Sequence, residues 1–279
     1  METLRFAFSG GEHDAHLLAP LTDYLSTAIG MRVLPTPLAT YPALFETMRS
    51  EWCAIGWLPP LVAHDLSVCR VAAPLVTASR KAGSSYASCF VATLESRIWH
   101  AGQLEGKRVG WVSKLSAAGY VVPRMHLASL GYCAEGFFKS EKIYGTHAAV
   151  RRALGSECDV IATYVETGFG EVGTMPIDVP HRIVATSGPI PADVITASML
   201  LPGQLRDRLF RALLAFEPDP ISWLARATRL MRFRPVSATH WSQLEHWQDR
   251  GRRESDRVRE LAPAHMAVSG SCLNQPKTA

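Results

Sequence analysis

The sequence predicts an α/β protein of two lobes, and three observations carry that prediction. Strand-like runs alternate with helix-like ones through most of the length, the pattern of βα units built around largely parallel sheets. The alternation breaks twice, at a polar segment over 95–103 and at the proline-marked run Gly188-Pro189-Ile190-Pro191-Ala192-Asp193, so a second βα series is inserted in the first. At 279 residues the chain is long enough for two lobes with full cores. Two crossovers that bracket an inserted lobe imply a hinge and a cleft. The expected division gives 1–92 and 193–265 to the first lobe, 93–192 to the second, and 266–279 to a loose tail of Ser, Gly, Pro, Asn and Lys.

The elements follow in order. Residues 4–8 form a strand at once, and 14–28 a helix with Leu17, Leu18, Leu21, Leu25 and Ile29 on one side. A strand over 31–35, a helix over 41–50 and an apolar strand over 53–58 complete two βα units, the last running into a rigid turn at Trp57-Leu58-Pro59-Pro60. Extended runs at 71–76 and 86–94 are separated by the Gly83-Ser84-Ser85 loop. The second series holds a strand at 108–112, a helix over 117–130, a short strand near 137–140 and a helix over 146–154. Strands at 159–163 and 182–187 close it. Beyond Pro202 the pattern is helical, at 203–216, near 221–226, and over a long amphipathic segment from Thr239 to about 261.

Composition excludes several classes. Apolar residues at 47% and charged residues at 19% are those of a soluble globular protein. A net charge of +4 is too small and too dispersed to suit nucleic acid, and the clearest basic run, 250–253, is broken by Gly251 and reads as a solvated helix face. No window approaches the roughly eighteen apolar residues of a membrane span, and the first residues carry neither a basic n-region nor an apolar h-region. A cytoplasmic location is therefore expected. Cys53, Cys69, Cys89, Cys133, Cys158 and Cys272 lack metal-ligand spacing, and five of them sit in apolar contexts suited to buried thiols. No cofactor or metal is expected.

The segment 104–123 carries the most chemistry. A strand leads into Ser113-Lys114-Leu115-Ser116-Ala117-Ala118-Gly119, a small-residue turn that opens a helix, and such a start leaves backbone N–H groups unpaired beside a partial positive charge. Its plain reading is an ordinary βα turn. Gly168-Phe169-Gly170-Glu171-Val172-Gly173 matches the dinucleotide fingerprint in letters, but Pro176 follows where a helix must open, which excludes that site. The loop Ser9-Gly10-Gly11-Glu12-His13-Asp14 follows the first strand and so lines the cleft, with Asp14 as a helix cap and His13 either solvated or part of an acid–base pair. Tyr41, Tyr86 and Tyr164 stand at the ends of elements facing the same crevice, as does Trp57, each with a core aromatic as its ordinary alternative. His147 opens a helix just after Gly145-Thr146.

These segments, in order and spacing, resemble the phosphate/phosphite/phosphonate family of periplasmic-type substrate-binding proteins, over about residues 4–216 in topology and most specifically over 104–162. The resemblance implies a type II periplasmic-binding-protein fold, related to ABC-transporter receptors, with a ligand clamped between two α/β lobes. It further implies that the family's Ser-Thr-Ser-Gly phosphonate-binding turn falls on Ser116, Ala117, Ala118 and Gly119, and its histidine on His147. Tyr41 and Tyr86 fit the two aromatic positions that close over the ligand, and Asp159 fits an acidic position that supports a strand. Ala117 and Ala118 depart from the family in lacking two hydroxyl donors, each worth about 1.5–3 kcal/mol to an anion. Trp57, Trp111 and Phe169 are expected to make the pocket more apolar.

The leading expectation is a protein that clamps a small anion bearing phosphonate, phosphate or carboxylate, or an aromatic carboxylate, through Tyr41, Trp57, Tyr86, Ser116, Ala117, Ala118, Gly119, His147 and Tyr164. A cytoplasmic enzyme on the same scaffold, of lyase, dehydratase or biosynthetic type, is the alternative, with His147 or His13 as acid–base. A third reading, a sensor or interaction subunit, uses the C-terminal helix from Thr239 to hold a protein partner or a second copy.

Overall fold

The computed structural model describes residues 3–11, 14–50, 52–81, 83–132, 136–166 and 177–245. In the first lobe β1 (Thr3–Ser9), α1 (Ala15–Ile29), β2 (Arg32–Leu38), α2 (Tyr41–Arg49), β3 (Ile55–Leu58), α3 (Pro60–Val68) and β4 (Ala72–Ser79) follow one another. The second lobe holds β5 (Ser85–Thr93), β6 (Arg108–Trp111), a π-helical turn Ala117–Val121 leading into α4 (Val122–Ser129), β7 (Ser140–Ile143), α5 (His147–Arg152), β8 (Val160–Val165) and β9 (His181–Pro191). The chain then returns through β10 (Val194–Ser198), α6 (Gly203–Ala215), α7 (Trp223–Thr228) and β11 (Arg232–Pro235).

The strands form two sheets, ordered β11-β4-β10-β3-β1-β2 and β7-β6-β8-β5-β9. β1 lies parallel to β2 and β3, and β6 parallel to β7 and β8, because a helical crossover joins each pair. The strands next to the crossovers, β10 and β5, run antiparallel to their neighbours. α1 seats Leu18, Leu21, Leu25 and Ile29 on one face of the first sheet, and α2 and α3 seat Leu44, Met48, Val62 and Leu66 on the other. That second cluster continues across the cleft to Val112, Val150 and Ile161, so apolar contact joins the lobes below the site. The remaining face of the second sheet packs Phe90, Trp111, Leu127 and Phe138.

The first crossover lies earlier than residue 92. β5 pairs along its length with β8 and β9, so the chain changes lobes between Ser79 and Ser85. Its apolar run suits either sheet, and only pairing assigns it. The return lies between Pro191 and Val194, and the two crossovers are tied side by side: Ala192 N donates to Ser84 O at 3.0 Å, and Ala78 N to Asp193 O at 3.2 Å. The Pro59-Pro60 turn is the first turn of α3, a place where proline costs no hydrogen bond. β7 begins at Ser140 instead of ending there. Phe137 and Phe138 are buried in the core just before it, while all four residues of β7 are exposed on a charged sheet edge. Asp14 stands at the N-cap of α1, yet its carboxylate accepts from Gly11 N at 2.7 Å and caps no amide of the helix. Cys53, Cys89 and Cys158 are buried thiols, but Cys69 is exposed at the end of α3. The 250–253 run, Cys133, Cys272, the tail 266–279 and most of the C-terminal amphipathic segment fall outside the described residues, which include its first turns over 238–245.

Candidate functional site

The carboxyl ends of the parallel strands in both sheets point toward one another, as they do where open α/β sheets bind ligands. Between them lies a cavity of about 110 Å³, room for on the order of eight water-sized groups. The first lobe contributes Tyr41 at the start of α2 and Pro59 just past β3, the crossovers contribute Arg80 and Asp193, and Tyr86 stands at the start of β5. From the second lobe come Ser116 and Ala117 after β6, His147 after β7, and Tyr164 and Glu166 at the end of β8.

The helix start is built by packing. Ser116 is extended, and its Oγ accepts from Gly119 N at 3.0 Å. A hydroxyl that accepts at a cap keeps its own proton to donate elsewhere. Both alanines pack in one cluster with Leu61, Val122, Ile190 and Leu244; Ala117, 2% exposed, also borders the cavity, and Ala118, 1% exposed, does not. Its carbonyl accepts from Ser88 Oγ at 2.7 Å. A Cβ on Gly119 would stand 2.4 Å from Val112 Cγ2, so only glycine lets the turn sit this close to β6. The methyl at 118 is thus a core group. Ser116 and Ala117 are the positions of the turn that border the cavity.

Burial and charge tune the remaining groups. The His147 ring packs edge-on against Tyr164, with centroids 4.9 Å apart, and its Nδ1 lies 2.9 Å from Thr163 Oγ1. Burial, helped by the nearby Arg151 cation, pushes the imidazole down to about 3, so it meets a ligand uncharged at neutral pH. Arg151 sits over the Tyr164 ring at 4.7 Å, and Tyr164 contacts Tyr86 in turn, centroids 5.9 Å apart. Burial, and next the Asp193 carboxylate, hold the Tyr41 and Tyr86 hydroxyls far above their ordinary range, so both stay protonated donors. Burial also raises Asp193, against the opposing pull of the Arg80 cation and the Trp57 indole. Glu166, 6% exposed, accepts from Arg229 Nη1 at 3.2 Å.

Of the residues expected at the site, Tyr41, Tyr86, Ser116, Ala117, His147 and Tyr164 share this cavity. Trp57, Ala118 and Gly119 do not line it. Trp57 is 7% exposed in the first-lobe core against Phe233, behind Asp193, and the other two belong to the turn's packed side. Trp111 is fully buried among Phe90, Tyr120 and Phe138, because alternation along β6 turns it away from the cleft. Asp159 lies at the opposite end of β8, where it accepts from Arg108 N at 2.9 Å and Arg108 Nη2 at 2.7 Å and joins two strands. His13 and Phe169 are outside the described residues. Sequence reasoning missed Arg80, Glu166 and Asp193. Their one signal was a lone charge closing an apolar strand or standing in a crossover. Among the described residues no three His, Cys, Asp or Glu side chains gather to hold a metal.

A model of the family described as "ABC transporter, phosphonate, periplasmic substrate-binding protein" matches residues 12–241. The chain belongs to that family. Its solved relatives share the fold at low identity. A Pseudomonas aeruginosa binding-protein component of an ABC phosphonate transporter superposes with a TM-score of 0.80 at 15% identity, covering 95% of this chain and 91% of the other. PhnD1 of Prochlorococcus marinus, in complex with methylphosphonate, gives 0.74 at 14%, over 91% and 98%. XAC2383 of Xanthomonas citri, bound to chloride ion, gives 0.72 at 21%, over 92% and 99%. No curated protein sequence matches the chain. As in other phosphonate-binding family members, the architecture is the periplasmic-binding-protein fold, and none of the described helices is long and apolar enough to cross a membrane.

Proposed function

We propose that this phosphonate-binding family member closes on a small zwitterion, a phosphonate- or carboxylate-type anion that also carries an amine. The observation that carries the reading is the opposition of two unlike walls across one small cavity. On one wall the Ser116–Ala117 helix start and the uncharged His147 offer hydrogen bonds to oxyanions. On the other the Asp193 carboxylate, raised by burial, gains a partner when an ammonium enters. Tyr41 and Tyr86 stay protonated and donate at the edges, and their rings exclude water once the lobes close. With Ala at 117, part of the anion's hold falls to backbone N–H groups, which suits moderate affinity. Acid–base catalysis by His147 has little support: Thr163 stands at Nδ1 where an orienting carboxylate is needed, and a group near 3 is a poor base at neutral pH.

Calorimetric titration of the protein with phosphate, methylphosphonate and an aminoalkylphosphonate tests the reading. The aminoalkylphosphonate binds tightest, and Asp193→Asn lowers its affinity roughly tenfold or more while leaving methylphosphonate within a few-fold. Absence of binding by all three, or an equal loss for both phosphonates in Asp193→Asn, overturns it.

A further inference from the structure

The two carboxylates of the cavity are not equivalent. Glu166 belongs to the second lobe, at the end of β8, and the guanidinium it meets, that of Arg229, belongs to the first lobe. The Glu166 carboxylate, only 6% exposed, takes this guanidinium at 3.2 Å as its ion-pair partner. Asp193 has no side-chain ion pair within 4.0 Å among the described residues.

Arg229 is held in place from the hinge side. It ends α7 in the left-handed region, φ 52°, which a residue with a side chain rarely adopts. Bonds on both flanks hold this turn: Arg80 Nε donates to Thr228 O at 2.9 Å, and Met231 N donates to Ser79 O at 2.9 Å. Ser79 and Arg80 are where the first crossover leaves β4. The guanidinium therefore projects from a turn bonded to the hinge strand and meets Glu166 across the cleft.

We propose that Arg229 is a specificity-determining residue of the cleft, whose cross-lobe pair with Glu166 keeps that carboxylate from the ligand and leaves Asp193 to receive its cationic end. The consequence is a cavity in which Asp193, beside the Arg80 cation, is the carboxylate left to meet an ammonium. Without Arg229, Glu166 is an uncompensated charge in the wall that repels amine-free anions and attracts amines. The pair also favours the closed arrangement before any ligand arrives, since its two halves stand on different lobes. This inference rests on the zwitterion reading above, and its test separates the two.

Arg229→Gln and Arg229→Lys are titrated with methylphosphonate and an aminoalkylphosphonate, and the affinity ratio of amine-bearing to amine-free probe is read. Arg229→Gln raises the ratio at least tenfold over wild type, and Arg229→Lys stays within about threefold of it. An unchanged or lowered ratio in Arg229→Gln overturns the proposal, even where both affinities fall together. If wild-type protein takes up neither probe, the zwitterion reading fails and X-ray scattering of the ligand-free proteins decides on Arg229. The pair then predicts that Arg229→Gln and Glu166→Gln each enlarge the radius of gyration, with no further increase in the double variant. Equal radii for wild type and both single variants overturn it.

Discussion

Replacement of His147 by asparagine is expected to remove a specific part of the protein's acid sensitivity. In the fold the imidazole is pushed from an ordinary 6.5 down to about 3, first by burial beside Tyr164 and then by the Arg151 cation. Between those pH values the unfolded chain binds a proton that the native chain refuses. Stability therefore falls as pH falls from about 6.5, and the loss levels off near 3. A pH of 5 lies about 1.5 units below the group's unfolded value, which at about 1.4 kcal/mol per unit costs the native state roughly 2 kcal/mol. His240, also lowered by burial, adds a loss of the same sign. Asp193, raised by burial, acts oppositely, its contribution growing as pH falls. The difference between wild type and His147→Asn isolates the His147 part from both. Urea unfolding followed by tryptophan fluorescence, at half-unit steps from pH 7.5 to 4.5, measures it. The variant's stability relative to wild type should improve by about 2 kcal/mol between pH 7.5 and 5. A difference that stays constant across that range refutes the argument, because it would mean the buried ring takes a proton as easily as a solvated one.

Three further outcomes follow from the site's construction. Ala117→Ser restores a hydroxyl at the cavity wall and should tighten methylphosphonate on the order of tenfold, whereas Ala118→Ser buries an unpaired hydroxyl among Leu61, Val122 and Leu244 and should cost about 1–3 kcal/mol of stability with no gain in affinity; calorimetry and urea melts read the two. Gly119→Ala forces a methyl against Val112 and should destabilise the protein by on the order of 3 kcal/mol, seen as a lowered urea midpoint. Because burial holds Asp193 above its ordinary range, uptake of an amine-bearing ligand should release protons, and its affinity should rise with pH through the acidic range. Titrations in buffers of different ionisation enthalpy detect that release, and Asp193→Asn should abolish it.

Much of the fold was legible because its signals are local. The apolar stripe Leu18, Leu21, Leu25, Ile29 announces a helix on a sheet, and the small-residue turn after β6 announces a helix start. Elements failed where local pattern and pairing diverge. β7 carries charges because it is an edge, α3 opens on prolines, and β5 has an apolar run that suits either sheet. The site divides in the same way. Tyr41, Tyr86, Ser116, Ala117, His147 and Tyr164 stand at element ends, which chain order suffices to aim at the cleft. Trp57 and Trp111 stand one strand pleat from a different answer, and alternation sent both into cores.

What the sequence determined by itself was the two-lobed α/β architecture, the family, and the turn with methyl groups where hydroxyls are usual. Only the tertiary structure decided what those methyl groups do, because both pack against Leu61, Ile190 and Leu244 from distant parts of the chain, while only Ala117 also borders the cavity. The charges of the site were decided there too. Arg80, Glu166, Asp193 and Arg229 lie far apart in sequence, and no spacing rule links them. They meet because two crossovers are bonded side by side and the two lobes face each other over them, so the pairing of Glu166 with Arg229 and the burial of Asp193 beside Arg80 and Trp57 are properties of the tertiary structure alone.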